Sequence, residues 1–149
     1  MWLPSIGRGL RAFVLLLAID GIAGCSTAQP LSPDAQLAVE IANFRLSATD
    51  VAYDMKYGLF EPSVAGMSAR VTFENPADRD NPLVVDVALP DGATEFNAVS
   101  PPIRCIANGR RYRVDAQLIH DGRVVDALSQ ELLFQVPTDL LKTMDVSAC

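Results

Sequence analysis

Period-two alternation of apolar and polar residues constrains this chain more than any other feature. Val51, Tyr53, Met55 and Tyr57 alternate with Ala52, Asp54 and Lys56, and Gly58 follows. Ala69, Val71 and Phe73 alternate with Arg70, Thr72 and Glu74. Tyr112, Val114, Ala116 and Leu118 alternate with Arg111, Arg113, Asp115 and Gln117. Successive strand side chains point to opposite faces of a sheet, so each stretch predicts a strand with one buried and one wet face. Antiparallel sheets packed on one side carry this pattern.

The remaining strand signals fall between turn residues. Leu37, Val39 and Ile41 begin a strand whose phase slips near Asn43, after which Phe44 and Leu46 carry it, so a bulge is predicted there. Residues 59–67 form a loop around Pro62 and Gly66. Asn75 to Pro82 is a charged turn region. Leu83 to Leu89 is β-branched and mostly apolar, and Pro90-Asp91-Gly92 turns the chain. Thr94 to Val99 is a weaker strand ended by Pro101-Pro102, Ile103 to Ile106 is a short one, and Asn108-Gly109 is a turn. Asp121-Gly122 is a two-residue hairpin signal, from which Val124 to Val136 returns as a long strand stopped by Pro137. Thr138 to Lys142 is one helical turn with Thr138 as its cap. About seven strands with turns every 8–12 residues predict an all-β sandwich or barrel, with a short C-terminal helical turn.

Ahead of this body lies a different kind of segment. Met1 to Arg11 carries Arg8, Arg11 and no acid; Ala12 to Ile19 is wholly apolar; Gly21 to Gly24 is small. A basic start, a short apolar run and a small-residue exit describe a secretory signal. A spanning helix needs about 20 apolar residues, and only thirteen positions, Asp20 among them, separate Arg11 from Cys25. Ile22-Ala23-Gly24-Cys25 resembles the lipobox of bacterial lipoproteins. The resemblance implies cleavage before Cys25, diacylglycerol on its thiol and a lipid anchor in the membrane. Ser26, rather than Asp, follows Cys25, which in that family implies the outer membrane with the domain facing the periplasm. The alternative is a secreted or soluble periplasmic protein. The implied organisation is a signal peptide over 1–24, a lipidated Cys and tether over 25–35, and a sandwich over 36–149. The tether, Ser26 to Asp34, is polar with two prolines, and nine such residues span about 15–18 Å.

Removal of residues 1–24 from the 149 leaves 125, enough for one domain. Without Arg8, Arg11 and Asp20, the 12 basic and 18 acidic residues become 10 and 17, a net charge of −7. That balance argues against a nucleic-acid partner, which needs clustered cations. With Cys25 lipidated, Cys105 and Cys149 are an even pair in an oxidising compartment and read as a disulfide. Its loop of about 45 residues corresponds to roughly 4 kcal/mol of chain entropy. One His and scattered acids give no metal spacing, and no cofactor is expected.

Asn108-Gly109-Arg110-Arg111-Tyr112-Arg113-Val114-Asp115-Ala116 resembles the start of the penultimate strand in immunoglobulin-like and fibronectin type III-like domains. There a Gly, a Tyr and alternating small apolar residues form a tyrosine corner, which implies a single immunoglobulin-like antiparallel β-sandwich. The core Trp and inter-sheet Cys pair of true immunoglobulin domains are missing, so the resemblance implies architecture alone.

Chemistry-bearing residues are few. His120 stands at a hairpin tip with no Gly-x-Ser-x-Gly elbow to serve, and reads as an exposed loop-edge residue. Arg104, Arg110, Arg111, Arg113 and Arg123 form a local basic cluster. They read either as a patch for an acidic partner or as pairing partners of Asp115, Asp121 and Asp126. Asp78, Asp80, Asn81 and Asp91 lack calcium-loop order and read as turn formers. Tyr53 and Tyr57 share a face with Met55, as core residues do. The expectation is a non-enzymatic outer-membrane lipoprotein that acts through an envelope protein partner. The alternative is a small-molecule or glycan binding module using loops at one end of the sandwich.

Overall fold

A computed structural model describes residues 35–143. The signal segment, Cys25, the tether through Asp34 and Cys149 lie outside the described residues. Seven strands and one short helix follow in order: β1 (Leu37–Leu46), β2 (Val51–Leu59), β3 (Met67–Phe73), β4 (Leu83–Ala88), β5 (Glu95–Val99), β6 (Arg110–His120), β7 (Arg123–Phe134) and α1 (Thr138–Thr143). They form a three-stranded sheet, β1-β2-β5, and a four-stranded sheet, β4-β3-β6-β7. Every neighbouring pair is antiparallel. The chain crosses between sheets after β2, β4 and β5. This is the all-β sandwich that the alternation and the turn spacing predict.

The inward rows are those read from the sequence. Val51, Tyr53, Met55 and Tyr57 of β2 face Ala69, Val71 and Phe73 of β3 and Tyr112, Val114, Ala116 and Leu118 of β6, all buried. Phe44, Tyr53, Phe73, Tyr112 and Phe134 join into one aromatic cluster. Its ring centroids lie 5.0 Å apart for Tyr53–Phe73 and for Phe44–Phe134. Each large side chain buried between the sheets contributes about 1.5–3 kcal/mol through apolar surface removed from water.

The turns follow their residues. Asp121 and Gly122 both have positive φ, 49° and 73°, as a type I′ hairpin requires. Tyr112 closes a tyrosine corner: its hydroxyl accepts a 2.7 Å bond from the Ala107 N–H, five residues upstream.

Two local expectations are corrected. The β1 bulge lies between Val39 and Ile41, at Glu40, rather than near Asn43. The extra residue is the one whose carboxylate has a destination. Glu40 reaches the Lys56 ammonium at 3.0 Å, beside Glu95 at 2.6 Å. These two acids hold Lys56 protonated to higher pH than a free lysine, Glu95 more than Glu40. The bulge turns Ile41 out to solvent and brings Phe44 inward. A Cβ at Gly58 would stand 2.7 Å from Glu40 Oε1, so a side chain there would displace the end of the Glu40 side chain. The helix begins one residue earlier than the expected cap implies: the Pro137 carbonyl accepts the Leu140 and Leu141 amides, which makes Thr138 the first helical residue rather than the one before it.

Tyr53 and Tyr57 share a face and differ in one atom's fate. The Tyr53 hydroxyl donates to the Glu74 carbonyl at 2.8 Å. The Tyr57 hydroxyl is buried without a partner among the described residues. Burial pushes both phenols well above the usual tyrosine range. Tyr53→Phe is therefore expected to lower stability by about 0.5–1.5 kcal/mol, the net worth of a hydrogen bond, while Tyr57→Phe leaves it unchanged or raises it. Urea unfolding midpoints of the two variants check the difference; a larger loss at Tyr57 would contradict it.

Candidate functional site

Strands β1 and β7 are edge strands of opposite sheets and border the same side of the sandwich. They run in the same direction, and one end of the seam is closed. There Asp126 of β7 uses a single oxygen, Oδ2, to accept the amides of Gln36 at 2.7 Å and Leu37 at 2.8 Å. Its Oδ1 accepts the Ala127 amide. A carboxylate taking several backbone amides makes charge-assisted bonds, about twice as strong as neutral ones.

Toward the other end the two edges part. A groove of about 450 Å³ opens between Ala42–Leu46 and Glu131–Val136. Its apolar lining is Phe44, half-buried, with the buried Leu132 and Phe134. Leu46 and Leu133 expose apolar surface on its rims. Asn43, Glu131 and Gln135 supply polar groups. Phe44 packs edge-on against Phe134 and Tyr112, which joins the groove to the core. Phe44 stands here because of the bulge: without the extra residue at Glu40, its side chain would face solvent.

The β7 edge also offers backbone. Glu74 accepts the Arg113 amide on its Oε2 and donates its own amide to the Arg113 carbonyl. Arg113 therefore turns its main chain away from β7, and its partner in register, Glu131, has no hydrogen-bonded mate in β6. The Phe134 carbonyl accepts from Gly109 and so faces β6. By alternation the amides and carbonyls of Glu131 and Leu133 point to the free edge, where strand pairing with another chain is open.

The five arginines do not form one surface. Arg123 sits at the β6–β7 hairpin, ten positions along the ladder from Arg110, which is about 33 Å of strand. Arg110 lies over the Tyr112 ring, 5.4 Å from its centroid, and 3.6 Å from Glu74. Arg113 pairs with Asp115 at 3.0 Å on its own strand. Arg104 stands 3.7 Å from Asp50, beside Ile103, which bridges to Val51 of the other sheet. Arg111 is exposed at the start of β6. Of the acids read as their partners, Asp121 lies 3.7 Å from His120 and Asp126 holds β1.

The other marked residues are also placed. Asp78 accepts the Asp80 amide and the Asn81 side chain, and Asn75 accepts the Ala77 amide, so this acidic stretch builds its own turn. Among the described residues, no three His, Cys, Asp or Glu side chains gather as a metal site would require. Cys105 is half-buried between Ile103 and Ile106, with a φ of 59°. Its proposed partner Cys149 is outside the described residues.

No protein-family model matches the chain, and no curated protein matches it in sequence. Among solved structures it is similar to wild-type OgpA from Akkermansia muciniphila, with 10% identity and a TM-score of 0.40. The likeness covers 70% of this chain and 29% of the OgpA chain. This chain thus spans less than a third of that neighbour's length.

Sequence reading missed Asp126, which looked like one more partner for an arginine. Its signal was available: a lone acid in the apolar run Val124-Val125-Asp126-Ala127-Leu128. Asp126→Ala strands two amides at the head of β1 and is expected to cost about 1–3 kcal/mol, with Asp126→Asn recovering part of it. A urea midpoint equal to wild type for Asp126→Ala would refute this role.

Proposed function

We propose that this chain is a lipid-anchored outer-membrane protein, facing the periplasm, that binds an extended segment of an envelope protein along its β1/β7 side. The anchor rests on the leader and on Ile22-Ala23-Gly24-Cys25, followed by Ser26. The observation that carries the binding mode is the groove floored by Phe44, Leu132 and Phe134 beside the unpaired β7 edge. An added strand gains affinity from main-chain bonds to Glu131 and Leu133, and specificity from a side chain placed in the groove. In the same reading Cys105 and Cys149 are bonded, fixing the segment after α1.

A second reading, a small-molecule or glycan module, draws support from the groove's volume, which falls in the 300–1,000 Å³ range of ligand sites. The groove lies along strand edges rather than among end loops, which suits a peptide better than a compact ligand.

Two measurements test the proposal. The mass of the mature chain is expected to begin at a diacylated Cys25, to show Cys105–Cys149 before reduction, and to lose the lipid in Cys25→Ala. A photo-crosslinking residue at Leu133 in intact cells is expected to capture one envelope protein, and the same residue at Val84, on the opposite edge, is not. Glu131→Pro, in the protein that carries the crosslinker at position 133, removes an edge-facing amide and leaves the β6 ladder in place, so it should abolish the adduct with little change in stability. Equal capture at both positions, or an adduct that survives Glu131→Pro, would defeat the strand-addition mode.

A further inference from the structure

Four of the exposed large apolar side chains gather at one end of the sandwich, the end at which the chain arrives from the tether. Phe60, Val64, Val124 and Val125 are 57%, 48%, 53% and 48% exposed. Their common location follows from bonded neighbours. The Phe60 amide donates to the Gln36 carbonyl, and Gln36 donates to Asp126, next to Val125. The Val64 carbonyl accepts from Met67, which pairs with His120 at the base of the β6–β7 hairpin. Gly66 lies against the Asp121 side chain of the same hairpin. Loop 60–66 and hairpin 120–125 are therefore side by side, with the incoming chain at Gln36 between them.

The loop is held firmly. Buried Ser63 donates to the Pro90 carbonyl and accepts the Ala93 amide at 2.9 Å, and its main chain bonds Gly92 and Ala93. Phe60 and Val64 are thus presented outward from a fixed loop at little further ordering cost. Val124 and Val125 are consecutive on the first turn of β7, where one would face each side of a flat strand, yet both reach solvent. The register shift between Leu118 and Ile119 lies opposite them.

We infer that this end of the sandwich is a membrane-contact surface, in which Phe60, Val64, Val124 and Val125 enter the outer layer of the bilayer. The inference rests on the proposed anchor at Cys25. What selects a lipid surface as the occupant is the length of chain between them. Only Ser26 to Asp34 separates Cys25 from Ala35, a root-mean-square span of about 15–18 Å and about 30 Å fully extended, so the end bearing Gln36 stays within that distance of the head groups. Apolar side chains held there gain by transfer out of water, at about 25 cal/mol per Å². The ionisable groups around them are Arg123, His120, Glu61, Asp91, Asp121 and Asp126. Four acids against one arginine favour zwitterionic head groups over anionic ones. The β1/β7 groove then lies at the other end, turned toward the periplasm.

The leader carries Trp2, the chain's single tryptophan, so the mature protein has none and accepts one as a reporter. Lipidated Phe60→Trp protein, purified from membranes, is reconstituted in phosphatidylcholine vesicles containing brominated acyl chains. Val124→Trp provides an independent second site, and Leu133→Trp, about 30 Å along the strands, is the control. The expected result is co-flotation of all three with vesicles, a blue shift and strong bromine quenching at positions 60 and 124, and neither at position 133. Flotation without quenching at 60 and 124 overturns this inference and leaves the anchor intact. Quenching equal at all three positions also overturns it. Failure to float overturns the anchor, and the inference with it.

Discussion

The two sheets of this sandwich share no ladder, so their union depends on what the inward side chains do. The aromatic cluster of Phe44, Tyr53, Phe73, Tyr112 and Phe134 is the thickest part of that contact. It draws on five strands of the two sheets and on both edges of the β1/β7 seam. Two of its hydroxyls also reach main chain, at Glu74 and Ala107, so the rings are positioned by bonds as well as by packing. Phe44 is the one member left half-buried, and the groove exists beside it. The candidate site is in this sense an unfinished margin of the core.

A polar counterpart operates at the other end of the seam. Backbone amides at the head of an edge strand have no ladder partner of their own and need an acceptor. Asp126 supplies one for Gln36 and Leu37 from the opposite sheet. The same strand thereby meets β7 through a carboxylate at one end and through aromatic rings at the other. The bulge at Glu40 lies between these contacts and lets one strand satisfy both, since it moves the inward phase from odd-numbered to even-numbered residues.

Much of this was legible in the sequence because period two is a strong signal when one face is buried. The rows through Tyr53, Val71 and Tyr112 are found where alternation places them, and Asp121-Gly122 turns as its residue types demand. The bulge was legible in existence and three residues off in position, because alternation shows that a phase has changed and not which residue absorbs the change. That was decided by Lys56, an acceptor-seeking cation on the neighbouring strand. The site was hardly legible. Sequence proximity gathered five arginines, of which the β6–β7 pair carries Arg110 and Arg123 to opposite ends of one sheet, while Arg104 stands off the strands beside Asp50. The groove arises where the first and last strands come side by side as edges of opposite sheets, a fact about topology that no local pattern encodes.

Asp126 has a further consequence if the domain is fastened by its N-terminus, as proposed. A pull on the tether arrives at Gln36 and runs along the axis of β1, so it loads the β1–β2 ladder in shear, all rungs together, instead of peeling them one by one. The clasp at Asp126 passes part of that tension across to β7, the strand proposed to hold a partner. Drag on such a partner would then be borne lengthwise by two strands rather than by the turns between them.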